Sequence, residues 1–126
     1  MNNATFNKLR VVFVLQRCNY CKKVLEFIER LNMRLPIEKR IRVINCTFWQ
    51  YYEIMTDPLI ALYNKYIDGF PTICIDGIRI NGVNSKIEIE AYLYSLLQKD
   101  FIVNESNKYR FSKECSLDNK GRIVCN

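Results

Sequence analysis

Two cysteines with two residues between them, Cys18-Asn19-Tyr20-Cys21, stand where the apolar run Val11-Val12-Phe13-Val14-Leu15 gives way to the helix-like stretch Lys22 to Leu31. A strand that runs straight into a helix puts the first thiol on the helix's N-terminal turn, where backbone N–H groups and the helix dipole stabilise a thiolate. The second thiol then lies one turn deeper, placed to resolve a mixed disulfide. The spacing and its setting point to redox chemistry at a strand-to-helix turn.

The chain has 126 residues, 49% of them hydrophobic, which is enough for one ordinary core. It contains six cysteines and no histidine, so zinc would need thiolates or carboxylates alone. Beyond Cys18 and Cys21, the cysteines at 46, 74, 115 and 125 form no second close pair, and no metal site is expected. The segment Met1 to Lys8 lacks the charged start and apolar centre of a signal peptide, and no stretch of 18 apolar residues occurs. A soluble, cytoplasmic protein without a membrane partner is expected.

The net charge of +6 is uneven: Lys8 to Arg42 holds ten Lys or Arg against three Glu. No zinc finger, basic-region helix or stacked-aromatic RNA motif accompanies it, so no nucleic-acid partner is expected. A solvated basic face would instead lower the pKa of a thiol beside it.

Along the chain, Leu9 to Leu15 reads as a strand buried on both faces. Val24, Phe27, Ile28 and Leu31 recur at helical spacing over Tyr20 to Asn32, with Asn19 as the N-cap candidate and Pro36 marking the linker beyond. Ile41 to Cys46 reads as a second strand. The aromatic stretch Phe48 to Tyr52 reads as core or a core lid, with a substrate-contacting surface as the alternative. Asp57-Pro58 opens a helix through Leu59, Leu62 and Tyr66.

Gly69-Phe70-Pro71-Thr72 ends that helix and begins the strand Ile73-Cys74-Ile75, which turns at Asp76-Gly77 into Ile78-Arg79-Ile80. Ser85 and Glu88 form a capping box for a helix carrying Ile89, Leu93, Leu96 and Leu97. The order is β-α-β-α-β-β-α around a four-stranded mixed sheet, with residues 1–99 as the domain and 100–126 as a C-terminal extension. In that extension Tyr109-Arg110-Phe111 and Gly121 to Cys125 flank Leu117 to Lys120, as in a hairpin packed on the domain.

This arrangement resembles the thioredoxin superfamily over about residues 9 to 98, in a three-layer α/β sandwich. Cys18-Asn19-Tyr20-Cys21 is similar to the Cys-x-Tyr-Cys form of glutaredoxins and protein disulfide oxidoreductases. Asp57-Pro58-Leu59-Ile60-Ala61 is similar to the Asn-Pro-x-x-Ala start of the family's following helix, and Phe70-Pro71-Thr72 to the segment carrying its cis-proline. The resemblance implies a cis bond before Pro71 and, around it, backbone groups that hold an extended substrate across Cys18.

The activity so implied is that of a thiol-disulfide oxidoreductase acting on protein thiols and disulfides, with Cys18 as nucleophile and Cys21 resolving. Arg17, Tyr20, Phe70, Pro71 and Thr72 are the substrate-binding candidates. Arg17, Lys22 and Lys23 add positive charge around Cys18, whose pKa is expected to be depressed. Apart from the redox-active disulfide no cofactor is expected; glutathione and a reductase are further candidate partners, and the chain is expected to be a monomer.

A glutathione-dependent glutaredoxin is the alternative reading, and a non-catalytic thioredoxin-fold adaptor a second. Two departures weaken glutathione use: Leu15 stands three residues before the first cysteine, where glutaredoxins typically carry lysine, and Asn81-Gly82-Val83-Asn84-Ser85 stands for their Gly-Gly-x-x-Asp. Cys46 and Cys74 read as small buried hydrophobes. Cys115 and Cys125 flank the proposed turn, either as a structural disulfide or as free thiols.

Overall fold

The computed structural model describes residues 9–47, 67, 69–100 and 114–126. The aromatic stretch 48–52, the helix expected over 57–66 and the strand expected at 109–111 lie outside the described residues. Within them the chain is a mixed α/β structure. Its elements are β1 (Arg10–Val14), α1 (Asn19–Asn32), a short 3-10 turn (Ile37–Lys39), β2 (Arg42–Asn45), β3 (Thr72–Ile75), β4 (Ile78–Arg79), α2 (Lys86–Asp100), β5 (Cys115–Leu117) and β6 (Ile123–Cys125).

The first four strands form one sheet in the order β2-β1-β3-β4, with β2 parallel to β1 and the other neighbours antiparallel. β1 is buried along its whole length, as the apolar run Val11 to Val14 requires, with Arg10 buried at its start. Its alternate residues serve two cores. Val12 and Val14 face a cluster with Ile73, Ile75, α1 and α2, while Val11 and Phe13 face one with Cys46 and Cys74. Among the described residues β2 is an edge strand: Arg42, Val43 and Asn45 are exposed, Ile44 packs half-buried against the second core, and the buried residues Ile41 and Cys46 flank it.

α1 buries Cys21, Val24, Phe27, Ile28 and Leu31 against the sheet. At its far end the Asn32 side chain donates to the Ile41 carbonyl at 2.9 Å and accepts from the Ile41 N–H at 2.8 Å, fixing the return into β2. α2 lies on the same sheet face, and Phe27 meets Tyr94 edge to face with ring centroids 4.5 Å apart.

The Asp76-Gly77 turn has φ of 52° and 85°, the two positive values that a two-residue hairpin of matching twist demands. Asp76 has a second task. Arg10, 4% exposed at the start of β1, donates to both Asp76 carboxylate oxygens, at 2.9 and 3.3 Å, and to the Lys39 carbonyl at 2.9 Å. A buried guanidinium is tolerable only with such partners, and these lie at the end of the sheet away from the cysteine motif.

Ser85 and Glu88 form the reciprocal capping box: the Ser85 N–H donates to Glu88 Oε1 at 2.9 Å and the Glu88 N–H to Ser85 Oγ at 3.1 Å. The Ser85 N–H, and then its hydroxyl, hold the Glu88 carboxyl below the usual carboxylate range.

β5 and β6 form a separate two-stranded hairpin with Cys115 opposite Cys125. Its first strand is thus Cys115-Ser116-Leu117. The Asp118 side chain accepts from the Lys120 and Arg122 N–H groups, each at 2.9 Å, and Gly121 completes the turn at φ 80°. No helix among the described residues is long and apolar enough to cross a membrane.

Candidate active site

β1 delivers the chain to the sheet end where Cys18 sits, and α1 starts there. The structure makes Cys18, not Asn19, the N-cap: its backbone is extended, and Asn19 is already the first helical residue. Sulfur does the work expected of the asparagine oxygen. Cys18 Sγ accepts from the Cys21 N–H at 3.0 Å, so a main-chain donor of the first helical turn is aimed at the sulfur. Negative charge on that sulfur would meet the same N–H and the positive end of the helix dipole.

Cys18 and Cys21 lie at disulfide distance, with Cα atoms 5.1 Å apart. Their exposures differ sharply. Cys21 is fully buried in the core, whereas Cys18 is half-buried and packs at its margin. An incoming sulfur therefore reaches Cys18 first.

Because β3 runs antiparallel to β1 with Thr72 opposite Phe13, the residues before Thr72 emerge at the same sheet end as the motif. The Phe70–Pro71 bond is cis. The Phe70 carbonyl oxygen lies 3.9 Å from Cys18 Sγ, a contact that a thiol at Cys18 makes as donor. Thr72 is buried and its hydroxyl donates to the Gly69 carbonyl at 2.7 Å, which shapes the turn from inside.

Tyr20, Phe70 and Pro71 line one cleft of about 170 Å³. Its far wall is made by Arg79, Asn81, Gly82 and Asn84; Asn81 to Asn84 fall in the stretch compared above with the glutaredoxins' Gly-Gly-x-x-Asp, but none of the four was among the substrate-binding candidates. Lys86 Nζ sits 4.5 Å from the centre of the Tyr20 ring, and burial, with the nearby Glu90 charge, pushes the Tyr20 phenol up. Tyr20 therefore stays neutral and joins the motif to α2. Arg17, Lys22 and Lys23 are exposed around the helix start.

Cys46 and Cys74 are free and buried. Burial pushes their thiols up to about 11 and about 12, the second despite the opposing charge of Arg79, so neither offers thiolate near neutrality. Cys115 and Cys125 form a disulfide across the hairpin, with Cα atoms 4.1 Å apart. Two larger clefts, of about 520 and 560 Å³, flank that hairpin; Cys18 lines neither of them, and it lies beside the 170 Å³ cleft, as Arg17 and Thr72 do, without lining it.

The chain matches no family model, no curated protein and no solved structure. The site's chemistry must be argued from its own residues.

Proposed function

We propose that the protein is a thiol-disulfide oxidoreductase of thioredoxin-like fold, exchanging disulfides with protein substrates through Cys18 and Cys21. The observation that carries this reading is the asymmetry of the pair: a half-buried sulfur that accepts a helix N-terminal N–H, bonded to a fully buried one. In the reductive direction, the Cys18 thiolate attacks one sulfur of a substrate disulfide and the other leaves as thiolate. Cys21 then attacks Cys18 Sγ, closing the Cys18–Cys21 bond and releasing the second substrate sulfur. Two electrons pass to the substrate, whose sulfurs leave as thiols; the reverse sequence oxidises a dithiol.

The reading takes a peptide as substrate: the Phe70 carbonyl lies beside Cys18, where the main chain of an extended segment can pair with it. Glutathione use has less support, because Leu15 and the Asn81–Ser85 stretch depart from the residues glutaredoxins carry at those places.

The test is mixed-disulfide trapping with Cys21→Ser, paired with alkylation of Cys18 against pH in the reduced wild type. Protein adducts released by reductant are expected, with an alkylation midpoint below that of a free thiol. No adduct together with a midpoint near 8.5, the ordinary thiol value, would overturn the proposal.

A further inference from the structure

The cleft's far wall is not self-supporting. Gly121, at the tip of the C-terminal hairpin, accepts at its carbonyl from the Asn81 N–H and from Asn84 Nδ2, each at 2.8 Å. The Asn84 amide also donates to the Asn81 carbonyl at 2.8 Å and accepts from the Ile123 N–H at 3.0 Å. One side chain thus links both ends of the cleft loop's turn to both sides of the hairpin's tip.

Close approach requires glycine there. A Cβ on Gly121 would collide with the Arg79 carbonyl and lie 2.9 Å from the Asn81 nitrogen, and φ is 80°. On the hairpin's other side Ile123 is buried in the main core, and the Ser95 hydroxyl, whose proton is shared with the nearer Tyr92 carbonyl at 2.5 Å, reaches the Cys115 carbonyl at 3.2 Å.

The hairpin itself has two strands of three residues each. Ladders of this size are marginal in water without packing or a covalent link. The Cys115–Cys125 bond supplies the link at directly opposed positions.

We propose that the disulfide-closed hairpin is a positioning element for substrate recognition: through Gly121 it holds Asn81 and Asn84 as the wall against which the flank of a peptide substrate rests. The inference rests on the proposed oxidoreductase activity and on the cleft being its peptide site. A peptide long enough to reach the wall uses it, whereas a small disulfide that meets only Cys18 does not. Loss of the wall therefore raises KM for the long substrate and leaves the chemical step alone.

The experiment compares full-length wild type, the Cys115→Ser/Cys125→Ser double variant and Gly121→Ala on two substrates: bis(2-hydroxyethyl) disulfide and a ten-residue peptide with an internal disulfide. Hydrogen exchange at the Asn81 amide reports whether the seat has opened. Both variants are expected to speed Asn81 exchange and to raise KM for the peptide by about three- to tenfold, with its kcat and the small-disulfide rate held within about twofold. Equal losses on both substrates would show a general structural role and overturn the inference. So would an opened seat with unchanged peptide KM, or an Asn81 amide whose exchange does not change. Gly121→Ala guards against a double variant that fails to fold, since it keeps the disulfide. A folded wild type inert to both substrates would overturn the oxidoreductase reading itself, and this inference with it.

Discussion

The two disulfides are the same bond in opposite settings. Cys18–Cys21 joins the start of a helix to its own first turn, and one sulfur looks out beside the Phe70 carbonyl and receives a main-chain N–H. Cys115–Cys125 joins two paired strands, and the neighbouring main-chain groups are already occupied: Asn126 N–H donates to Glu114, and the Ser95 hydroxyl reaches the Cys115 carbonyl. What differs is the backbone around the sulfur. An unspent N–H turned toward a half-buried sulfur favours the thiolate, while a completed ladder around a cystine favours holding still.

The sharpest way to break this contrast is to remove one sulfur from each pair. Cys18→Ser is expected to reduce disulfide exchange to the uncatalysed background, and Cys21→Ser to stop after one stoichiometric release of substrate thiol, measured under single-turnover conditions. Cys115→Ser should leave exchange with a small disulfide in place. If it abolished that exchange, the assignment of chemistry to one pair and support to the other would be wrong.

Stability should order the other way for the hairpin pair. Removing both hairpin cysteines is expected to cost about 2 to 3 kcal/mol, from the unfolded-chain entropy that closing a loop of this length removes. In thermal unfolding of the oxidised protein that corresponds to a drop of roughly 10 °C. An unchanged midpoint would mean that the Gly121 and Ile123 contacts hold the hairpin unaided.

Much of the first region was legible in sequence, for physical reasons that do not extend to the second. The apolar run Val11 to Val14 of β1, a helical stripe in α1 and an Asp-Gly turn each specify local structure through burial or backbone conformation, and each formed. The cap at Cys18 was missed because oxygen-bearing caps dominate expectation, and Asn19 stood one residue away. The hairpin's hold on the cleft wall was missed for another reason. Asn84 reaches Gly121 and Ile123 across 37 and 39 residues, and no periodicity encodes a contact of that separation. Only Gly121 hinted at it, and a glycine after Asp118-Asn119-Lys120 is explained by the turn alone.

The support region can be probed more gently through the start of α2. Ser85→Ala removes the hydroxyl that accepts the Glu88 N–H and is expected to cost about 1 kcal/mol in denaturant unfolding, with Cys18 alkylation unchanged. Since the Glu88 carboxyl is held below its usual range, its contribution is present above the unfolded value and is lost as pH falls through the folded one. The loss of stability on acidification should therefore be smaller in Ser85→Ala than in wild type. An equal loss would show that the Ser85 N–H, which alanine keeps, governs that titration without the hydroxyl.

Cys46 and Cys74 provide the smallest effect and the control for both pairs, because both are free, buried thiols. With their folded values raised to about 11 and about 12, the unfolded chain ionises first as pH rises above about 9. Folding then retains protons that the unfolded state has lost, so their contribution is full below that pH and declines up to their folded values. At pH 8 the reduced native protein should react with iodoacetamide at Cys18 while these two resist until denaturant is added, as peptide mapping would show. Labelling of Cys46 or Cys74 at a rate matching Cys18 would mean that burial does not separate reactive from inert sulfur here, and exposure at the helix start would lose its place as the feature that singles out Cys18.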